Sequence, residues 1–121
     1  MVEIAESDGL DATIEQLVID ALDRDPRIGA VYSIGGGNIA TIHAFELRDR
    51  GYRVFVAHDL DEDNRMLLRA RKISAVLHHD LRADANLAGR MIIQAHGGLS
   101  GVQASMSAIR VVTPHNIPTY R

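Results

Sequence analysis

The stretch that decides the fold is residues 28–59, IGAVYSIGGGNIATIHAFELRDRGYRVFVAHD. It opens on a short apolar run rich in β-branched residues, which is typical of a buried strand. Three glycines end that run. Residues 38–50 then show helical spacing of apolar residues up to a C-cap at Gly51, and residues 54–57 form a second apolar run. Because such strands must be covered on both faces, we expect a parallel sheet with right-handed crossovers.

The rest of the chain continues this alternation of strands and helices. Residues 2–5 predict a first strand, and a helix follows with Asp11 at its N-cap. After the central unit we expect a helix that starts at the acidic residues 61–63 and runs to Arg71, a strand at 73–77, a helix at 83–95, a loop at 99–107 and a strand at 109–112. At 121 residues this is one domain. The order predicts an α/β fold: an open, mostly parallel sheet of about five strands with helices on both faces.

Two of the predicted helices carry an apolar stripe at helical spacing. Such a stripe is expected to face the core of the protein. The predicted core residues are Ile14, Leu17, Val18, Ala21 and Leu22 in the first helix, and Ala88, Met91, Ile92 and Ala95 in the last.

Composition excludes several classes of protein. The formal net charge is −3 and Lys72 is the single lysine, which argues against a surface that follows the phosphates of a nucleic acid. No apolar run is long enough to span a bilayer, and residues 1–6 do not resemble a signal peptide. The absence of cysteine excludes disulfides and thiolate metal sites, and it favours the cytoplasm.

Polar residues follow most of the predicted strands. In open parallel sheets, ligands bind at the edge formed by the carboxyl ends of the strands. The polar groups expected there combine carboxylates, a hydroxyl, an amide and imidazoles without a lysine or arginine, a set suited to a neutral polyhydroxyl ligand such as a sugar. They come from residues 7–11 with Asp11, from residues 33–38 with Ser33, Gly36, Gly37 and Asn38, from His58 and Asp59, and from residues 78–80 with His79.

The glycine turn also permits a different class of ligand. Gly35, Gly37 and Ala40 satisfy the G-x-G-x-x-A pattern of dinucleotide sites, and Asp59 lies about 20 residues further on, at the end of the next strand. Against this interpretation, a strand and a helix are predicted before the glycines, so this is not the first strand-helix-strand unit. An NAD-binding oxidoreductase domain is therefore the alternative from the enzyme class.

Other interpretations of the same residues are simpler or weaker. His58, Asp59, His79 and Asp80 are chemically competent metal ligands, but neighbouring residues of a strand point to opposite faces. Ser33 lacks the G-x-S-x-G context of an activated nucleophile. The glycines could serve only tight turning and close packing, and Asp11 could serve only as an N-cap.

Five segments together carry a resemblance to a known family. They are VEIAESDG (2–9, with Asp8-Gly9), AVYSIGGGN (30–38), VFVAHDL (54–60), ISAVLHHD (73–80) and IRVVTPHNIP (109–118). Their ordered spacing over essentially the whole chain resembles the C-terminal half of the effector-binding module of lactose-repressor (LacI) family transcriptional regulators.

The resemblance implies a fold similar to that of periplasmic sugar-binding proteins, in which two α/β subdomains close over a small molecule, usually a sugar. Asp59 falls where the family places an acidic residue that binds sugar hydroxyls, and His79 falls where a polar side chain often reaches the ligand. The turn from Ser33 to Asn38 matches a segment that lines the cleft and often reads Asn-Asp, and Asp11 falls near a ligand-facing position. The implied ligand-binding residues are thus Asp11, Ser33, Gly36, Gly37, Asn38, Asp59 and His79.

The function implied by the resemblance is effector sensing without catalysis, cofactor or metal. We expect a cytoplasmic homodimer that binds a sugar-like effector in a cleft shared with a second subdomain. DNA binding would belong to a domain outside these residues, and no membrane contact is expected. A periplasmic sugar receptor is the alternative among binding proteins.

Overall fold

A computed structural model of the chain describes residues 1–4 and 11–119. In chain order the elements are α1 (Asp11–Arg24), β1 (Ala30–Tyr32), α2 (Asn38–Leu47), β2 (Val54–His58), α3 (Glu62–Arg69), β3 (Ala75–His79), α4 (Leu81–Ala95) and β4 (Ile109–Val112). The predicted alternation of strands and helices is therefore confirmed from α1 onward, and the residues of the 99–107 loop carry no helix or strand.

The four strands form one open sheet in the order β1-β2-β3-β4. β1 runs parallel to β2, with Tyr32 opposite Val56, and β2 runs parallel to β3, with His58 opposite Leu77. The predicted α/β class with a mostly parallel sheet is confirmed. The expected first strand at 2–5 is not: residues 2–4 are exposed and carry no strand, and residue 5 lies outside the described part. A four-residue segment becomes a strand only where a neighbour pairs its backbone, so its apolar residues alone could not specify one.

Two apolar clusters form the core around one face of the sheet. Phe55 and Ala57 of β2 alternate with more exposed residues and pack with Ile42 of α2 and Leu68 of α3. A second cluster joins α1 and α2. The buried members of the α1 and α2 cluster are Val18, Ile19, Leu22, Ala44 and Phe45. Because α2 and α3 each connect neighbouring parallel strands in sequence, right-handed crossovers bring both helices to the same face.

The predicted stripe of α1 agrees with this core in its C-terminal half. Val18, Ala21 and Leu22 are buried as expected, whereas Ile14 and Leu17 are half-buried. Ile19, which the stripe omits, is buried as well. The buried side of α1 is therefore broader than the spacing of apolar residues indicates.

The helix ends show where local sequence decides the boundaries. The Asp61 carboxylate accepts from the backbone N–H of Asn64 at 2.7 Å and begins α3. The Asp80 carboxylate accepts from the N–H of Ala83 at 3.1 Å, so α4 begins two residues before the predicted start. α2 ends at Leu47 rather than at residue 50, because Asp49 adopts a left-handed φ of 48° that a helix cannot continue.

The Arg50 side chain binds the backbone between the end of α1 and the start of β1. Its guanidinium donates to the backbone carbonyls of Leu22 at 2.8 Å, Pro26 at 2.8 Å and Ile28 at 2.6 Å. These carbonyls belong to the end of α1 and to the segment that leads into β1. A single side chain therefore satisfies the Leu22 carbonyl, which the end of α1 leaves unpaired, together with two carbonyls of the segment that follows α1.

The chain forms two compact units, Met1–Leu77 with Val111–Arg121, and His78–Arg110. The second unit contains the last two residues of β3, α4, the irregular segment after α4 and the first two residues of β4. In that segment the backbone N–H of Val102 donates to the Gln94 carboxamide oxygen at 2.7 Å, and the Gln94 amide donates back to the Val102 carbonyl at 3.1 Å.

The predicted core stripe of α4 is wrong. None of the residues of α4 is buried, and Ile92 is 62% exposed. The stripe comprised Ala88, Met91, Ile92 and Ala95, all of which are exposed. One helix and an irregular segment cannot enclose an apolar face within their own unit, so amphipathic spacing does not by itself produce burial.

Candidate functional site

The structure brings two of the predicted site residues to the same edge of the sheet. Ser33 follows β1, and its N–H donates to the carbonyl of Val56 at 2.8 Å. Asp59 follows β2, and its N–H donates to the carbonyl of Leu77 at 2.9 Å. Since β1, β2 and β3 are parallel, these bonds extend the ladder at the carboxyl ends of the strands. Ser33 and Asp59 therefore occupy neighbouring positions on the edge where ligands of open α/β sheets bind.

Asp59 has the backbone and the exposure of a ligand-facing acid. Its φ is 62°, in the left-handed region, and its side chain is exposed. Among residues 1–4 and 11–119, no group donates a hydrogen bond to its carboxylate and no cation pairs with it. Left-handed backbone is uncommon outside glycine, and aspartate is one of the few residues that tolerates it at small cost. An acceptor is thus held at the edge, and the described part of the chain supplies no donor to it.

Asn38 lies beneath this edge and is only 6% exposed. Its carboxamide nitrogen donates to Oδ1 of Asn64, which is 1% exposed, at 2.8 Å. The Asn64 carboxamide in turn donates to the carbonyls of His58 at 2.9 Å and Asp59 at 2.8 Å. Asn38 therefore connects the glycine turn to the turn after β2, while its own Oδ1 is buried without a hydrogen-bond partner among the described residues.

The three glycines of the turn, residues 35–37, do not have the same role, a difference that the sequence could not show. Gly37 has a φ of 77°, and a Cβ placed on it would lie 2.1 Å from Cδ1 of Ile14. This glycine is required by backbone conformation and by packing. A Cβ on Gly35 or Gly36 would meet nothing within 4 Å, and both residues are exposed. The open part of the turn is thus residues 35 and 36, where backbone can approach a ligand closely.

The start of α2 has no side-chain cap. Gly37 occupies the N-cap position, and among residues 1–4 and 11–119 no side chain accepts a hydrogen bond from the N–H groups of the first turn. Ser33, which stands before the glycines, donates its hydroxyl instead to the carbonyl of Gly35 at 3.2 Å. The first N–H groups of a helix that lacks a side-chain cap are free to bind water or a ligand acceptor.

The first turn of α1 lies beside the glycine turn. Ile14 makes the close approach to Gly37, and the exposed Asp11 is three residues earlier, on the same side of α1. Asp11 is the first residue of the helix in the structure rather than the residue before it. The other predicted members of this part of the edge, Ser7, Asp8 and Gly9, lie outside the described residues.

Tyr32 and His58 form a pair that the sequence interpretation missed. The Tyr32 hydroxyl shares a 2.7 Å hydrogen bond with Nε2 of His58, and the rings meet edge to face with centroids 5.4 Å apart. Tyr32 is 61% exposed and stands next to Ser33, whereas His58 stands next to Asp59. The signal was available in the alternation of the strands, because residues 32, 56 and 58 share the face opposite the buried Phe55 and Ala57.

His79, the remaining predicted site residue, belongs to the second unit and is half-buried. Its Nδ1 lies 3.1 Å from Oγ of Ser107. The Ser107 hydroxyl donates to the Asp84 carboxylate at 2.6 Å. Because the serine proton is directed to the carboxylate rather than to the imidazole, this cluster has the hydrogen-bond order of a structural network and not that of a nucleophile activated by histidine.

The described residues do not support the metal site that His58, Asp59, His79 and Asp80 were considered for. The described part of the chain contains no group of three or more His, Cys, Asp or Glu residues placed to hold a metal ion. One of the proposed ligands, Asp80, already accepts from Ala83 as the N-cap of α4 and lies 3.9 Å from the Arg110 guanidinium.

No helix in the described residues is long and apolar enough to cross a membrane.

Comparison with known proteins gives matches only in three dimensions. No protein-family model matches the chain, and no curated protein matches it. Among solved structures, the chain is similar to GanP, a glucose-galactose binding protein from Geobacillus stearothermophilus, with a TM-score of 0.80 and 17% identity over 98% of this chain and 43% of that one.

Two further structures extend this similarity. A substrate-binding protein of a sugar ABC transport system from Bordetella parapertussis 12822 gives a TM-score of 0.79 and 16% identity, covering 96% of this chain and 40% of that one. The XylFII-LytSN complex gives a TM-score of 0.75 and 18% identity, covering 97% of this chain and 42% of that one. The chain spans about two-fifths of the length of these structures. Its fold is that of the periplasmic-binding-protein-like proteins, to which sugar-binding proteins belong.

Proposed function

We propose that the chain is the sugar-sensing subdomain of a LacI-type transcriptional regulator. In this proposal a small polyhydroxylated effector binds at the edge that carries Ser33 and Asp59, in a cleft completed by a second subdomain. The chain contributes binding groups and no catalytic group. The effector acts by preferring one state of the cleft, which shifts the population of the regulator between two conformations.

The observation that carries the proposal is the exposed carboxylate of Asp59 at the carboxyl edge of a parallel sheet, which accepts no hydrogen bond from residues 1–4 and 11–119. A carboxylate can accept hydrogen bonds from two hydroxyls of one ligand at the same time. The Ser33 hydroxyl, the free N–H groups at the start of α2 and the Tyr32 hydroxyl add neutral donors and acceptors nearby in the same unit. A set with one acid and several neutral partners favours a neutral polyhydroxyl compound.

Similarity of fold supports the same class of ligand. Two of the similar structures are a glucose-galactose binding protein and a substrate-binding protein of a sugar ABC transport system. Our proposal transfers to this chain only the general chemistry of a sugar. The regulatory part, with a homodimer in the cytoplasm and DNA contacts from another domain, comes from the family resemblance of the five sequence segments.

The direct test is calorimetric titration of the natural full-length protein with D-glucose, D-galactose and D-xylose. We expect saturable binding of at least one sugar, and Asp59→Asn should weaken it about 10- to 100-fold, because one charge-assisted hydrogen bond contributes about 1.5–3 kcal/mol. Ser74→Ala is a suitable control. The Ser74 hydroxyl also bonds the backbone, accepting from the N–H of Phe55 at 3.1 Å, but at the opposite end of β3.

The regulatory part has its own test. Immunoprecipitation of the protein from cells, followed by sequencing of the bound DNA, should recover specific sites whose occupancy changes when the sugar is supplied. In Asp59→Asn the same sites should be occupied, but the response to the sugar should be lost. Recovery of the protein from the periplasm with no bound DNA would contradict the regulator and favour a periplasmic sugar receptor.

An NAD-binding domain is the second candidate, and one observation favours it. β1, the glycine turn, α2 and β2 form a parallel unit with Asp59 at the end of the second strand, as the dinucleotide fingerprint requires. The close packing of Gly37 on Ile14 explains that glycine without a ligand and weakens this candidate. Titration with NAD distinguishes the two: micromolar binding of NAD, with cofactor choice altered by Asp59→Ala, would contradict the sugar sensor.

A further inference from the structure

The hydrogen bonds around Asn64 determine the orientation of two buried carboxamides. The Asn64 amide nitrogen donates to the carbonyls of His58 and Asp59, so both of its protons are used and its Oδ1 must accept. The donor to that Oδ1 is therefore the amide nitrogen of Asn38, at 2.8 Å. No flipped arrangement satisfies the same atoms. The pair is a directed chain of hydrogen bonds from Asn38 through Asn64 to the backbone after β2.

That backbone is the turn in which Asp59 adopts its left-handed conformation. The two carbonyls that Asn64 holds lie on either side of the φ and ψ angles of Asp59. Asn64 is itself fixed at the start of α3, where its backbone N–H donates to the Asp61 carboxylate. The turn from residue 58 to residue 61 is therefore folded around one buried side chain, which occupies the space between the turn and α3.

We propose that Asn64 is a positioning residue for the effector site: it holds the backbone of Asp59 so that the carboxylate is presented at the edge in one orientation. This inference rests on the proposed sugar-binding function. Asn64 is 1% exposed and does not itself meet the ligand. Through Asn38, it also ties the Asp59 turn to the start of α2, so the glycine turn and the acid keep a fixed separation.

Removal of the Asn64 carboxamide should lower the affinity of the protein for the sugar. Without the two amide donors, the carbonyls of His58 and Asp59 lose their partners, and the left-handed backbone is no longer held against relaxation to an ordinary conformation. The Asp59 carboxylate would then be ordered only when the ligand binds. Sugar affinity should fall about tenfold or more, although every group that touches the ligand is still present.

The test is a double-mutant cycle on the sugar dissociation constant of the natural full-length protein, with D-glucose, D-galactose and D-xylose as probes. The variants are Asn64→Leu, Asp59→Ala and the combination. If Asn64 acts through Asp59, the double variant binds no more weakly than Asp59→Ala alone. If Asn64 acts only on general stability, its loss multiplies with that of Asp59→Ala, and this result would overturn the proposal, as would unchanged affinity in Asn64→Leu.

Two controls keep the experiment decisive. Asn64→Ser retains a polar group in the cavity and serves if the leucine variant does not fold, and its loss of affinity must likewise vanish in the Asp59→Ala background. Ser74→Ala reports the effect of removing a side-chain to backbone bond away from the edge, and it should leave affinity unchanged.

A failure of the proposed function is recognised separately. If the unaltered protein binds none of the three sugars, the same cycle is measured on the melting temperature with Asp59→Val as the second substitution. Valine is strained only while the turn is held in the left-handed conformation. The melting-temperature loss caused by Asp59→Val should then be smaller in the Asn64→Leu background than in the unaltered protein, and equal losses would overturn the positioning role.

Discussion

Gly37 lies so close to Ile14 that a Cβ at residue 37 would be 2.1 Å from the Cδ1 atom and within 3.2 Å of both Cγ atoms. The contact joins the first turn of α1 to the start of α2, and it is accompanied by a positive φ of 77°. This one position therefore combines two requirements that only glycine meets.

The first prediction concerns that contact. Gly37→Ala should lower the free energy of unfolding by about 2 to 5 kcal/mol, because a left-handed backbone costs about 1 to 2 kcal/mol and overpacking about 1 to 3 kcal/mol. Gly36→Ala is the matched control, since its Cβ meets nothing within 4 Å and its φ is not in the left-handed region. It should change stability by less than about 1 kcal/mol. Urea unfolding measures both, and equal losses would contradict the account.

The second prediction concerns the backbone of Asp59. Asp59→Asn and Asp59→Gly should each leave the free energy of unfolding within about 0.5 kcal/mol of the original, since both residues tolerate a φ of 62°. Asp59→Val should cost about 1 to 2 kcal/mol, because a β-branched side chain clashes in that conformation. Chemical denaturation of the three variants is the measurement. A valine variant as stable as the glycine variant would show that the turn does not hold its conformation.

The third prediction concerns Arg50, which donates to four backbone carbonyls, those of Leu22, Asp25, Pro26 and Ile28. Arg50→Met should destabilise the protein by about 2 to 3 kcal/mol, and Arg50→Lys should recover less than half of the loss, because a single ammonium cannot span the same acceptors. Arg53→Met is the control. The Arg53 side chain is exposed, and its removal should cost less than about 0.5 kcal/mol in urea unfolding.

The fourth prediction concerns acid stability. The hydrogen bonds from the Arg27 side chain, and then from its backbone N–H, lower the pKa of Asp25 from 3.8 to about 2. A carboxylate whose pKa is lower in the folded state stabilises the protein above pH 3.8, and this contribution is lost as the pH falls through about 2. In the same way, the hydrogen bond from Arg48 lowers the pKa of Asp23, and the hydrogen bond from Lys72 lowers the pKa of Glu46.

The measurement compares the urea midpoint of the original protein with that of Asp25→Asn between pH 5 and pH 2. The difference between them should be largest at pH 5 and should shrink toward pH 2. The effect will be small, because Asp25 and Arg27 form their ion pair at the surface, where water and salt screen it. A difference that does not depend on pH would contradict the assignment.

Sequence alone specified the elements whose partners lie close along the chain. The apolar runs at β1 and β2, the glycines between them and the helical spacing of α2 predicted a parallel strand-helix-strand unit, and the structure contains it. The stripe of α4 failed for a physical reason: spacing shows that a face is apolar, but not that a neighbour covers it. The same limit explains the missing strand at residues 2–4.

The candidate site was predictable in position but not in detail. The apolar runs predicted strands that end near Ser33 and Asp59, and the structure places both residues at the carboxyl ends of β1 and β2. The burial of Asn38 against Asn64 joins residues 26 positions apart, and no local pattern indicates it. Strand alternation places Tyr32 and His58 on the same face, but the contact between them also depends on the register of the two strands.

The left-handed backbone at Asp59 also restricts how this position can vary among descendants of the protein. Only aspartate, asparagine and glycine occupy such a φ at little cost to folding. Each exchange among these three alters the charge or the reach of the side chain while the turn is preserved. Under the proposed function, ligand preference can therefore drift here through single-residue changes that the rest of the molecule does not have to accommodate.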